Sequence, residues 1–143
     1  MDHIAILRKS WKLTNKILSG EKKIESRWYL HKVNPRGSIN INDTIYFKDS
    51  GDLVRVKAEV DGVKRFSDLN VGKIKKILQE YGRNIGLEAK QIPLYLEMFK
   101  DKKYCILIFL KNACTVEAFD VDKTGFGKMS AWITVSDINK IKK

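Results

Sequence analysis

The clearest alternation in the chain runs from Leu53 to Asp61. Val54, Val56, Ala58 and Val60 face one way, and Arg55, Lys57, Glu59 and Asp61 face the other. Period two with one charged face predicts an antiparallel strand that is wet on one side. Thr44 to Lys48 carries the same period, and Asp49-Ser50-Gly51-Asp52 supplies a hairpin connection between the two. His3 to Leu7 reads as an opening strand. Lys23 to Tyr29 reads as another, with Ile24, Ser26 and Trp28 alternating against Lys23, Glu25, Arg27 and Tyr29. Tyr104 to Leu110 is apolar on both faces, which places it centrally in a sheet, with Ala113 to Val121 as its expected hairpin partner. Met129 to Val135 is the expected last strand, with Trp132 on the face opposite Ala131 and Ile133.

Elsewhere the period is helical. Ser10 can cap a helix that holds Trp11, Thr14, Ile17 and Leu18 on one side, with Gly20 placed to end it in the left-handed region. From Asn70, the residues Ile74, Ile77, Leu78, Tyr81 and Ile85 mark one face of a longer helix, with Gly82 and Gly86 at its end. Lys73, Lys75, Lys76 and Arg83 fall on its other side. They are either a phosphate-facing surface or an ordinary solvated face. Glu88 to Lys100 carries a second short helical pattern interrupted by Pro93, and Ser136 can cap a terminal one holding Ile138 and Ile141.

Turns are expected at Asn34-Pro35-Arg36-Gly37-Ser38, at Asn42-Asp43 and at Asp61-Gly62. The loop from Asp122 to Gly127 lacks both the spacing and the following helix of a phosphate-binding loop. No strand-helix-strand alternation or repeat runs through the chain. The fold class is therefore α+β or mostly β: a small, mostly antiparallel barrel of about five to seven strands with short peripheral helices.

Charge sharpens the picture. The 143 residues carry 28 Lys and Arg against 17 Asp and Glu, a formal net charge of +11. That excess favours polyanionic partners, because each neutralised phosphate releases a counterion. Lysine used for solubility is the plain alternative. Cys105 and Cys114 have no metal-binding spacing, and His3 and His31 are the only histidines, so neither a metal nor a cofactor is expected. The longest apolar run, Tyr104 to Leu110, is too short to span a bilayer. The expected setting is cytoplasmic, away from membranes. Oligomeric state is left open.

One stretch concentrates chemistry. Gly20-Glu-Lys22-Lys-Ile-Glu25-Ser-Arg27-Trp28-Tyr29 places cations, an acid and aromatics together at a helix-to-strand junction. Gly20-x-Lys22-x-x-Glu25-x-Arg27 resembles the G-x-K-x-x-E-x-R signature of the ASCH domains of the PUA-like superfamily. The likeness extends in order along nearly the whole chain. Asn42-Asp43 stands before the strand Thr44-Ile-Tyr-Phe47, and Ser130-Ala-Trp132-Ile-Thr-Val stands before Ser136-Asp-Ile. Residues 1–143 thus read as one ASCH-like domain.

The resemblance implies a barrel with a cleft beside the motif, and RNA or modified nucleosides as ligands. Some relatives hydrolyse an acyl group from a modified cytidine, some are nucleases, and others act in transcriptional coactivation. The acyl-cytidine hydrolases carry a catalytic threonine where this chain has Glu25, so their mechanism does not transfer.

The cluster of Lys22, Glu25 and Arg27 can act in three ways. It can be a structural ion-pair network. It can bind, with the cations on a phosphate and Glu25 accepting from a base amino group. It can catalyse, with Lys22 and Glu25 as the catalytic residues. Trp11, Tyr29, Tyr46 and Trp132 are candidate stacking surfaces, Ser130 a candidate donor and Arg36 a candidate phosphate contact. Trp28 shares a face with Ile24 and reads as core. The expected function is binding of RNA, with DNA as the other polyanion, at a cleft that takes a modified or flipped base. The alternatives are a small hydrolase of a modified nucleoside or of RNA, and a protein-interaction module in transcription or translation.

Overall fold

The computed structural model describes residues 1–31, 37–127 and 130–143. Six strands form one mixed sheet: β1 (Asp2–Leu7), β2 (Ile24–Tyr29), β3 (Thr44–Asp49), β4 (Val54–Phe66), β5 (Tyr104–Phe119) and β6 (Trp132–Val135). Their order is β2-β5-β4-β3-β1-β6. Neighbours run antiparallel except β1 and β3, which pair in parallel from Asp2 opposite Thr44 to Leu7 opposite Asp49. Among the described residues three α-helices accompany the sheet: α1 (Leu13–Ser19), α2 (Val71–Ile85) and α3 (Ile92–Phe99). The architecture is α+β, mostly β, with the sheet curved into a half-barrel.

Side-chain alternation explains the layers. Along β5, Ile106 and Ile108 enter a core with Ala5, Ile45, Phe47, Val56 and Ala58, together with Leu13 and Ile17 of α1. Cys105 and Leu107 point the other way, into a core with Ile74, Ile77 and Leu78 of α2. The strand is apolar on both faces because it is covered on both. On β2, Ile24 and Trp28 join the α2 core, which leaves Glu25, Arg27 and Tyr29 on the inner face of the half-barrel.

Several sequence expectations need correction. Tyr104 to Val121 holds no hairpin; β5 is one strand of 16 residues. Asn112 takes a left-handed φ of 54° within it, and three register shifts against β4 let the long ribbon bend without reversing. Asp61-Gly62 is not a turn either. β4 continues through both, with Gly62 at one of those shifts beside Phe109. Gly82 lies inside α2 and faces the Ile92 side chain, and the helix ends at Gly86, where φ is 104°. Pro93 does not break α3 but opens it, since the first turn needs no amide there. Ser10 sits in a 3₁₀ turn, Lys9–Trp11, and the N-cap of α1 is Lys12 in the left-handed region. The terminal element is a 3₁₀ turn, Ile138–Lys140, capped by Asp137 and not by Ser136. The turn expected around Arg36 falls mostly outside the described residues.

At the β1–β6 edge a small polar network is sealed in. His3 is fully buried, with Nε2 2.8 Å from Asp43 Oδ2 and Nδ1 3.0 Å from Thr134 Oγ1. The Trp132 indole N–H donates to His3 Nδ1 at 3.2 Å. An indole can only donate, so Nδ1 accepts and Nε2 carries the proton toward Asp43. Burial holds the imidazole below its ordinary pKa, against the pull of Asp43.

Candidate functional site: a buried Lys-Glu-Arg cluster beside an aromatic cavity

Gly20, at φ 84°, ends α1 and turns the chain toward β2. Lys22 follows at the junction and is 2 % exposed. Its Nζ lies 2.7 Å from the Ile24 carbonyl, 2.7 Å from the Ile85 carbonyl and 3.3 Å from Glu25 Oε1. All three neighbours are acceptors, so the group needs three N–H bonds and stands as an ammonium. Burial lowers its pKa, and the Glu25 charge opposes that fall.

The Glu25 carboxylate is equally enclosed. Oε1 accepts from the Ser26 amide at 3.1 Å and faces Lys22; Oε2 accepts from Arg27 at 3.3 Å. Burial alone would raise its pKa, but Lys22 and Arg27 together outweigh burial and hold it below the ordinary carboxylate value. Two cations around one acid leave the cluster positive.

Arg27 closes the half-barrel. From β2 its guanidinium donates to the Ala131 carbonyl at 3.3 Å and the Ile6 carbonyl at 3.4 Å, across to the β1–β6 edge. It also lies 5.2 Å from the centre of the Trp132 ring. These contacts are long, and its side chain is 14 % exposed, so it is held less tightly than Lys22.

Lys22 also organises the end of α2. The last carbonyls of a helix have no partner within the helix. Here the Gly82 and Arg83 carbonyls accept from the Gly86 amide, and Gly82 also from Leu87. Asn84 accepts from the Lys23 amide, Ile85 from Lys22 Nζ and Gly86 from Lys16 Nζ at 2.9 Å. Two lysines therefore sit where the negative end of the helix favours cations. This fixes the position of α2 against β2.

A cavity of about 560 Å³ opens beside the cluster. Lys22, Glu25, Ser26 and Arg27 line it from the motif, and Trp11, Trp28, Tyr29, Tyr95 and Phe99 add aromatic surface. Arg8 and Lys102 bring further cations, while Glu25 is the one acid of the lining. Phe99 stacks on Trp28 with ring centres 4.6 Å apart and planes 8° from parallel, and Tyr95 leans on Trp11 at 5.3 Å. These two pairs seat α3 over the cavity. Burial pushes the Tyr29 phenol up to about 12, so it stays a hydrogen-bond donor near neutrality.

Of the residues singled out in the sequence, Lys22, Glu25, Arg27, Trp11 and Tyr29 meet at this cavity. Trp28 serves both core and lining. Tyr46 lies elsewhere, its ring 5.8 Å from Phe119. Trp132 is buried in the half-barrel core outside the lining, and Ser130 Oγ donates to the Trp132 carbonyl. Arg36 lies outside the described residues. Sequence reasoning missed Arg8, Ser26, Tyr95, Met98, Phe99 and Lys102. The available signal was the density of large apolar residues in Ile92–Phe99, more than a short surface helix needs. Among the described residues no cluster of His, Cys, Asp and Glu is arranged to hold a metal, and no helix is long and apolar enough to cross a membrane.

No family model and no curated protein sequence matches the chain. Solved structures do. The ASCH protein of Zymomonas mobilis, in a Tyr-to-Phe variant, superposes with a TM-score of 0.69 at 14 % identity over 97 % of this chain and 93 % of its own. Another crystal structure of the Zymomonas mobilis ASCH protein gives 0.67 at 14 % identity, covering 94 % of this chain and 87 % of that one. The N-terminal domain of Staphylothermus marinus McrB gives 0.50 at 15 % identity, covering 81 % of this chain and 74 % of that one. The chain has the ASCH-type, PUA-like fold.

Proposed function

We propose that the protein binds nucleic acid, RNA before DNA, by taking one unpaired or modified base into the aromatic cavity. The observation that carries this reading is the lining: aromatic rings, one acid held between two cations, and further cations beside them. Rings stack bases at roughly 1–3 kcal/mol each. Among the described residues Glu25 Oε2 accepts one hydrogen bond, from Arg27, and retains capacity for an amino group of a base. Arg8, Arg27 and Lys102 suit the phosphates on either side. The volume is that of a pocket for a small molecule such as a nucleoside. The ASCH resemblance points to the same ligand class.

Binding accounts for the cluster better than catalysis through Lys22. A base or nucleophile needs a free electron pair, and this ammonium is committed to three acceptors. Lys22 is the residue that positions Glu25 and α2.

Fluorescence anisotropy with a short single-stranded RNA tests the reading. Affinity is expected to fall with salt. Trp11→Ala is expected to weaken binding about 10- to 100-fold, the equivalent of one lost stacking contact. Affinity indifferent to salt, to Trp11→Ala and to Arg27→Ala alike would sink it.

A further inference from the structure

The cluster and its cavity leave a second positive region unused. It begins where α2 ends. A separate cavity of about 890 Å³ lies there, lined by Lys16, Lys23, Gln79, Arg83 and Leu87 among others. Leu87 lines the aromatic cavity as well, so the two openings share a wall. From the second cavity the charge continues along α2. Lys75 and Lys76 stand eight and seven residues before Arg83, two helical turns back on the same outward side.

These cations are exposed, and among the described residues no ion pair engages Lys23, Lys75, Lys76 or Arg83. The usual local task for a cation near a helix C-terminus is to serve the last carbonyls. That task is complete without Arg83 or the Lys23 ammonium, because backbone amides, Lys16 and Lys22 already satisfy the carbonyls from Gly82 to Gly86. The acids nearby are fewer. Glu88 pairs with Lys90, leaving Glu21 in the cavity and Glu80 on the helix.

We propose that the outward side of α2 and the cavity at its end form a second track, which carries the sugar-phosphate backbone of the same polynucleotide whose base enters the aromatic cavity. The inference rests on that reading of the aromatic cavity. The occupant is a polyanion because the exposed cations Lys23, Lys75, Lys76 and Arg83 outnumber the acids left beside them, Glu21 and Glu80. It is a flexible single strand because the route crosses the shared Leu87 wall between two concavities, which a rigid duplex cannot follow. The protein then recognises a strand several nucleotides long, not an isolated nucleoside.

The test compares two probes, a labelled trinucleotide and a labelled single-stranded RNA of about 12 nucleotides, within the span such grooves cover. The variant combines Lys23→Ala, Lys76→Ala and Arg83→Ala. A control combines Lys57→Ala, Lys140→Ala and Lys143→Ala, which removes the same charge elsewhere. For the long probe, the α2 variant is expected to reduce the slope of log affinity against log salt by about 2, at roughly 0.7 per phosphate contact, and to weaken binding at least tenfold. The trinucleotide is expected to bind it as tightly as wild type, which also reports an intact fold. An unchanged slope for the long probe overturns the track while leaving the pocket standing. So does an equal loss in the control, which would mean net charge alone. Competition by polyglutamate as effective as by RNA would assign the surface to an acidic protein and overturn it too. Failure of wild type to bind either probe would overturn the pocket, and the track with it.

Discussion

Lys22 and Arg83 stand at the same helix end and are treated in opposite ways. Lys22 is 2 % exposed, with two carbonyls and the Glu25 carboxylate around its ammonium. Arg83 is exposed and lines a cavity, and no ion pair among the described residues involves it. Burying a charge is costly unless it is paired and hydrogen-bonded, so Lys22 came with Glu25 and two carbonyls. A surface charge needs no such company and stays available for a partner. A chain at +11 can thus hold cations that build the molecule and cations that meet something else, and burial separates them.

The contrast can be broken at its inner side first. Glu25→Ala leaves the buried Lys22 and the half-buried Arg27 without their acid, and is expected to destabilise by about 3–5 kcal/mol. At this chain length that lowers the melting temperature by about 10 °C or more, which thermal unfolding reads. A loss under about 1 kcal/mol would mean that water screens the cluster. Lys22→Met is the next effect in size. It keeps the apolar stem but leaves the Ile85 carbonyl without its donor, and about 2–3 kcal/mol is expected in urea titrations. Amide exchange in the last turn of α2 should accelerate, which a general loss of packing would not confine to that turn.

Acid titration sharpens the inner half further. Glu25 has a folded pKa below its ordinary value, so its contribution is present above the ordinary carboxylate range and is lost as pH falls through the folded value. His3 is also lowered, from 6.5, so below that point the unfolded chain takes up a proton that the folded one resists. Stability should therefore begin to fall near pH 6.5, by at most about 1.4 kcal/mol per pH unit for one proton. His3→Gln should flatten that first segment of the unfolding-versus-pH curve and spare the carboxylate segment below it. A slope unchanged by the substitution would remove His3 from the account. At the outer side the smallest effect is expected: Arg83→Ala should change stability by less than about 0.5 kcal/mol. A larger loss would place Arg83 with the inner cations and end the contrast.

Much of this fold was legible because local rules governed it. Gly20 ends α1 at a left-handed φ, as its place after a helical pattern predicted. The strict alternation of Val54, Val56, Ala58 and Val60 gave β4, and the face it buried. Several expectations that failed concerned residues that can either turn or bend a chain. Gly62 and Asn112 look like turns, yet sit inside long strands because the ribbon of β4 and β5 is paired on both sides of each. Pro93 looks like a break, yet starts a helix because nothing before it needed its amide.

The sequence by itself set Lys22, Glu25 and Arg27 within six residues at a helix-to-strand junction, with Glu25 and Arg27 on one face of the strand. It also determined that the molecule is strongly positive. Only the tertiary structure decided what that closeness means. The Ile85 carbonyl that occupies Lys22 lies 63 residues away, and Ala131, which receives Arg27, lies 104 away. Tyr95 and Phe99, which wall the cavity, arrive on a helix whose place is set by α2. Hydrogen-bond capacity is consumed by whichever acceptors the fold brings near, and no local pattern records which those will be.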